Sequence, residues 1–401
     1  MNYIHLSPHF PPNYYLFSVH LSRLGVQVLG LADEPYESLQ PELRGALTKY
    51  YKVDDLHNYD QLLRACGYFT HRYGKLDRVD SHTEYWIETE ARLRTDFNIP
   101  GSKVADLEAI KRKSRMKRIF QDAGVAVARG EVVHNLEEAR RFIEEVGYPV
   151  VAKPDVGVGA ADTYRVNDAR DLDRFFATKR PVDYLIEEFV EGPIQTFDGL
   201  TDKDGNLVFF SSLRYKENIM EVVNEDRDLY LYTLREIPAD LEEAGRRVLQ
   251  AFDVREHFFH FEFFRSDKDG RLIALEVNMR PPGGPTVDLW NYANEIDMYW
   301  EWANVVVNNR FVEKYTRKYH AVYGVDLDPS AFDGWPAGLH HPEILVLVEA
   351  AALGREDDNR LCGTATRRLV RAVNLQLHVL PQIGAPPLVI FDVHVSPTSP
   401  G

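Results

Sequence analysis

Cysteine is scarce in this chain: Cys66 and Cys362 are the only two among 401 residues. Far apart and without ligand-spaced partners, they offer neither a disulfide framework nor a zinc site, which suits a reducing cytoplasm. Long apolar runs are missing as well. No stretch approaches the roughly 18 apolar residues that a spanning helix requires, and Met1–Pro8 lacks the charged-then-apolar pattern of a leader. The expectation is a cytoplasmic protein with no membrane partner. Positive charge is in deficit, with 47 Lys and Arg against 62 Asp and Glu, a net −15. Such a surface repels phosphate backbones, so nucleic acid is not expected as a partner. The one dense basic run, Lys111 to Arg118, reads by itself as a solvated helix face.

Apolar residues make up 44% of the chain and aromatics 12%, which excludes a disordered chain. The length is that of two to four domains rather than a single core. Strand–helix–strand patterning over Tyr3–Leu6, Asn13–Leu24 and Val26–Leu31 predicts a parallel α/β unit closed by Asn98-Ile99-Pro100-Gly101. A helix over 102–123 follows. Strands at 131–133, 148–153 and 184–190, with helices at 135–146 and 171–177, predict a small α+β lid. Farther on, a hairpin around Asp204-Gly205-Asn206, a helix over 241–252, paired strands at 258–264 and 272–277, and a helix over 295–307 are expected.

The strand pair carries the chemistry. Phe261-Glu262-Phe263 and Leu275-Glu276-Val277-Asn278-Met279-Arg280 flank the turn Asp267–Gly270. Strand alternation puts Glu276, Asn278 and Arg280 on one face, and pairing across the turn brings Glu262 to the same side. Two carboxylates and an amide oxygen are hard donors suited to Mg²⁺. The planar guanidinium of Arg280 is suited to two-point binding of a phosphoryl or carboxylate group. Upstream, Lys153 ends an apolar strand and precedes Pro154-Asp155-Val156-Gly157-Val158-Gly159. Gly157 and Gly159 allow backbone N–H groups to approach phosphate oxygens.

Together these segments resemble the ATP-grasp superfamily, over roughly residues 100 to 310. The resemblance implies an α/β and α+β architecture: a preceding α/β domain (1–99), a first ATP-grasp part with a mobile lid (100–185), a catalytic part with an antiparallel sheet (186–315) and a C-terminal α+β extension (316–401). It implies Glu262, Glu276 and Asn278 as Mg²⁺ ligands, with Mn²⁺ as a substitute, and Arg280 beside the transferred phosphate. Lys153 and either Lys113 or Lys117 would contact ATP phosphates, with Lys113 favoured because it stands ten residues before Ala123-Gly124. Leu185–Gly192 resembles the adenine-binding hinge, through Glu187, Glu188 and Val190. Asp198 matches a downstream aspartate, whereas Ile194 stands where many relatives have a ribose-binding glutamate.

The activity implied is ADP-forming activation of a carboxylate as an acyl phosphate, followed by attack of an amine. The implied partners are two small-molecule substrates, and a homodimer is compatible with them. The continuation Arg280-Pro281-Pro282-Gly283-Gly284 resembles amino-acid ligases more than carboxylases. A bicarbonate-using carboxylase and a nucleotide-binding protein without turnover stand as the alternatives.

Overall fold

The computed structural model describes residues 1–157, 162–215, 229–325, 344–348, 375–380 and 388–393. Its first unit is a parallel sheet in the order β3-β2-β1-β4, formed by β1 (Asn2–Leu6), β2 (Gln27–Ala32), β3 (Lys49–Lys52) and β4 (Arg78–Asp80). Helices α1 (Tyr15–Arg23), α2 (Pro41–Ala46), α3 (Tyr59–Tyr73) and α4 (Ile87–Asp96) connect and follow its strands. β1 is buried throughout, as its apolar run anticipates.

Where one helix over 102–123 was expected, there are two. α5 (Leu107–Lys111) and α6 (Lys113–Asp122) are separated at Arg112, whose backbone is extended at φ −94°, ψ 109°. The cause is tertiary. Arg112 bridges Val156, and the Asp155 carboxylate accepts from Ser114 N at 2.7 Å, satisfying an orphan donor in the first turn of α6.

The small antiparallel sheet, in the order β5-β8-β6-β7, comprises β5 (Gly130–Val133), β6 (Val150–Pro154), β7 (Tyr164–Val166) and β8 (Tyr184–Glu188). α7 (Leu136–Val146) and α8 (Ala169–Thr178) cover one face. They are capped by Asn135, which accepts from Glu138 N, and by Asp168, which accepts from Arg170 N and Asp171 N. Phe142, Ile143, Leu172, Phe175 and Ile186 give this lobe a core of its own. Apolar burial, at about 25 cal/mol per Å², thereby holds the lobe together by itself.

A ten-stranded sheet forms the large body. It runs β14-β13-β9-β11-β12-β15-β16-β18-β17, with β10 also on β9, where β9 is Ile194–Thr201, β10 Leu207–Ser211, β11 Leu213–Tyr215, β12 Leu229–Thr233, β13 Phe258–Arg265, β14 Leu272–Asn278, β15 His320–Val325, β16 Ile344–Val348, β17 Leu375–Leu380 and β18 Leu388–Val393. Among the described residues, those from 316 onward supply four strands to the same sheet. α9 (Ala239–Ala251) packs on this sheet: Leu241, Ala244 and Val248 meet Phe197, Phe259, Phe261 and Phe263. Beyond β14, α11 (Met298–Asn308) corresponds to the helix expected over 295–307, and α10 (Thr286–Asn294) precedes it where no helix was expected. Glu295 breaks them in the left-handed conformation, at φ 55°.

The first unit is not a separate body. Tyr3, Phe17 and Val28 share one core with Phe258, Trp290 and Trp302. Arg78 reinforces the junction by binding Glu256 Oε2 at 2.6 Å and the Glu256 carbonyl at 2.9 Å.

Candidate active site

On β13 the odd residues Phe259, Phe261 and Phe263 enter the core against α6 and α9. Strand alternation therefore sends His260 and Glu262 to the opposite face. In register, Glu262 lies across from Glu276 on one side and Thr196 on the other, while His260 lies between Asn278 and Asp198. Three adjacent strands thus carry a block of six polar side chains on one face. A bulge between Glu262 and Phe263 shifts the register by one residue, and pairing resumes at Phe263 and Ala274.

His260 ties the block together. Its Nδ1 is 2.7 Å from Asp198 Oδ1 and its Nε2 is 2.9 Å from Glu262 Oε1. Burial alone would lower its pKa, but the two carboxylates raise it to about 9, so the ring is a cation with both N–H groups donating. The same contact holds the Glu262 carboxyl below its ordinary value against the opposing effect of burial. Asp198 is fully buried, and its carboxylate is engaged by His260 and by the Thr196 hydroxyl. The structure brings it to the back of the carboxylate pair.

The basic run divides by helical position. Lys113 and Lys117 both face inward and are buried. Lys113 Nζ donates to Glu276 Oε1 at 2.7 Å and to the Gly157 carbonyl at 3.3 Å. Burial works against its charge, yet Glu276 prevails and holds its pKa above the usual lysine value. Lys117 donates to the Ala128 carbonyl at 2.8 Å and pairs with Glu187, which also pairs with Lys153. Burial pushes the Lys117 pKa down despite Glu187. One carboxylate therefore serves two lysines, from α6 and β6.

Asp155 locks this arrangement. It is fully buried and accepts from Ser114 N, Ser114 Oγ at 2.9 Å and Arg112 at 2.8 Å, while its carbonyl accepts from Lys113 N at 2.8 Å. The end of β6 is thus tied to the start of α6. Gly157 lies at Lys113; Gly159 lies outside the described residues.

At the end of β8, the Glu188 carboxylate accepts from the Arg129 backbone N–H and from its guanidinium, both at 2.9 Å. Val190 stands just past the end of β8 and is half-buried. Gly192 is at φ 145°, and a Cβ there would fall 2.0 Å from the Arg265 carbonyl, so only glycine permits the turn from β8 into β9.

Arg280 follows the end of β14 instead of extending its face. It donates to the Pro281 carbonyl at 2.8 Å, and its Nε is 3.8 Å from Glu84 Oε2.

Among the described residues, no group of three or more His, Cys, Asp or Glu side chains forms a metal-holding set. The donor set here is two carboxylates and an amide. Directly opposed Glu262 and Glu276, with Asn278 beside them, match Mg²⁺ in chemistry: hard, anionic and free of thiolate.

Sequence reasoning passed over His260, Asp155 and Glu84. The first two had a signal. His260 precedes Glu262 by one strand period, and Asp155 is the polar residue two beyond Lys153. Glu84 had none, because it meets Arg280 from a loop almost two hundred residues earlier in the chain.

The architecture is the ATP-grasp fold, and a family described as "ATP-grasp domain" matches residues 146–288. Within it the chain resembles carboxylate–amine ligases. It is 25% identical over 254 residues to an L-arginine-specific L-amino acid ligase of Bacillus subtilis, over 59% of this chain and 61% of that protein. The chain thus spans about three fifths of that curated relative's length. The structure of an L-amino acid ligase from Bacillus licheniformis superposes with a TM-score of 0.67 at 16% identity, covering 98% of this chain and 93% of the other. An N5-carboxyaminoimidazole synthetase from Staphylococcus aureus gives 0.65 at 13% identity, covering 98% and 94%. No helix among the described residues is long and apolar enough to cross a membrane.

Proposed function

We propose that this chain is an ADP-forming ligase that activates a carboxylate as an acyl phosphate and joins it to an amine, with amino-acid-like substrates. The observation that carries this reading is the convergence on one sheet face of Glu262, Glu276 and Asn278, with Lys113 against Glu276 and Arg280 at the strand end. Lys153 on β6 and Lys113 on α6 would supply the positive charge that meets the nucleotide phosphates, with Lys153 and Lys117 sharing Glu187 behind them. Glu188 and Val190 mark the adenine end by their place at the hinge. Glu262, Glu276 and Asn278 would hold Mg²⁺, or Mn²⁺ in its place, and the bound ion neutralises charge on the phosphates. His260 holds Glu262 in its ionised form. Arg280 binds the reacting carboxylate and then the acyl phosphate through its two-point fork. The lid lobe excludes water, to which an acyl phosphate is labile. The setting proposed is the cytoplasm.

The test is isotopic. Amino acids carrying ¹⁸O in their carboxylates, supplied in pairs with ATP and Mg²⁺, are expected to give ADP, a dipeptide and inorganic phosphate bearing one labelled oxygen. AMP release, or phosphate without label, would sink the reading. Bicarbonate supplied as the only acid is the control for the carboxylase alternative and is expected to give no ADP above background.

A further inference from the structure

The strand order β3-β2-β1-β4 of the first unit places a topological switch point between β1 and β4, where open parallel sheets receive ligands beyond their carboxyl ends. Both loops leaving that point are unusual. Ser7, after β1, and His82, after β4, hold left-handed backbone at φ 55° and 62° without being glycine. The β1 loop is tied to the segment beyond Arg280: Asn13 donates to Asp288 at 2.7 Å, and the Tyr14 hydroxyl meets the Pro282 carbonyl at 3.4 Å. The β4 loop carries Glu84, which is buried, with 9% of its surface exposed.

Glu84 Oε2 is a buried oxygen for which the described residues provide no hydrogen-bond partner. Its nearest cation is Arg280, at 3.8 Å, outside hydrogen-bond range. A buried carboxylate oxygen left in this state costs free energy unless a ligand donor meets it. Burial raises the Glu84 pKa in spite of Arg280, with Glu276 adding to the rise and Lys111 and Lys113 opposing it, so the group accepts a proton more readily than an exposed carboxylate.

We propose that Glu84 receives the nucleophile, a primary amine that arrives as an ammonium ion and donates to Oε2; this rests on the ligase reading above. The ammonium gives one proton to Glu84. The freed lone pair attacks the acyl-phosphate carbon held by Arg280, a C–N bond forms and the C–O bond to phosphorus breaks. The second proton leaves the nitrogen with the departing phosphate, and Glu84 returns its proton to solvent.

Hydroxylamine separates the two halves of the reaction, because it is largely neutral at neutral pH and needs no base. The full-length chain and its Glu84→Gln and Glu84→Asp variants would be supplied with ATP, Mg²⁺ and pooled amino acids, with and without hydroxylamine. Amide products would be read by mass spectrometry and hydroxamate by its ferric complex. Glu84→Gln is expected to lower amide formation about 100-fold and hydroxamate formation several-fold less, with Glu84→Asp recovering part of the amide. Equal losses of both products would mean a structural role and overturn the assignment, as would amide formation at the wild-type level. A wild-type chain that forms no hydroxamate from any acid would instead overturn the ligase reading, and this assignment with it.

Discussion

Glu276→Gln is expected to lower ADP-forming turnover by at least about 100-fold while leaving the chain folded. Glu276 faces Glu262 across the strand pair and is also the partner of Lys113. Glutamine keeps an oxygen for the Lys113 ammonium but removes the negative charge that a hard cation requires, so the loss falls on the transition state, where phosphoryl charge develops. Stability is expected to fall by only about 1–3 kcal/mol, the range for weakening a charged hydrogen bond. Paired measurements of ADP release and of Mn²⁺ binding by electron paramagnetic resonance check this. Unchanged turnover at saturating Mg²⁺ would remove Glu276 from the site. A loss of turnover with Mn²⁺ affinity intact would assign Glu276 to Lys113 alone.

Glu187→Ala is expected to have the largest effect on stability, about 3–5 kcal/mol, because it leaves two ammonium groups buried without their shared carboxylate. The loss should be local. Glu187 lies on β8, between β5 and β6, and the lobe has its own core, so hydrogen exchange should accelerate across 130–188 before the large sheet responds. The wild-type chain carries the same contribution in its pH dependence. Burial raises the Glu187 pKa, but Lys153 and Lys117 outweigh it and hold it below the ordinary glutamate value. The stabilisation is therefore complete above the unfolded value of about 4.3 and is lost as pH falls through the lower, folded value. The variant should lack that acid-side loss. Uniform exchange throughout the molecule, or an unchanged acid limb, would contradict a loss centred on the small lobe.

The strand pair was legible because alternation is a local rule. Phe261 and Phe263 point one way, so Glu262 must point the other; the turn at Asp267–Gly270 pairs the strands, and a one-residue bulge, which alternation alone does not reveal, shifts the register so that Glu276 lies opposite Glu262. Helix patterning was less informative where another segment intervened. Arg112 sits in a run of good helix formers, yet Asp155, more than forty residues on, supplies the acceptor that starts a new helix at Lys113. Burial also gave individual residues partners within the chain. The carboxylates of Glu187 and Asp198 pair with Lys117 and Lys153 and with His260. Those partners lie on other strands or helices, so spacing within one strand could not reveal them. Arg280 was expected on the strand face, but β14 ends at Asn278 and the guanidinium turns toward Glu84 of the first unit.

The core shared by Tyr3, Phe17, Trp290 and Trp302 has a practical consequence. The boundary near residue 99 separates stretches of sequence without separating anything that can be cut. A fragment beginning there would carry Phe258, Trp290, Met298 and Trp302 into water as one contiguous apolar face, the kind of surface that drives aggregation. It would also lose the partners of Glu256 and Arg280, since Arg78 and Glu84 come from the deleted part. The first hundred residues thus share one core with the helices beyond β14, and a graft that exchanged them for those of a relative would have to carry α10 and α11 along.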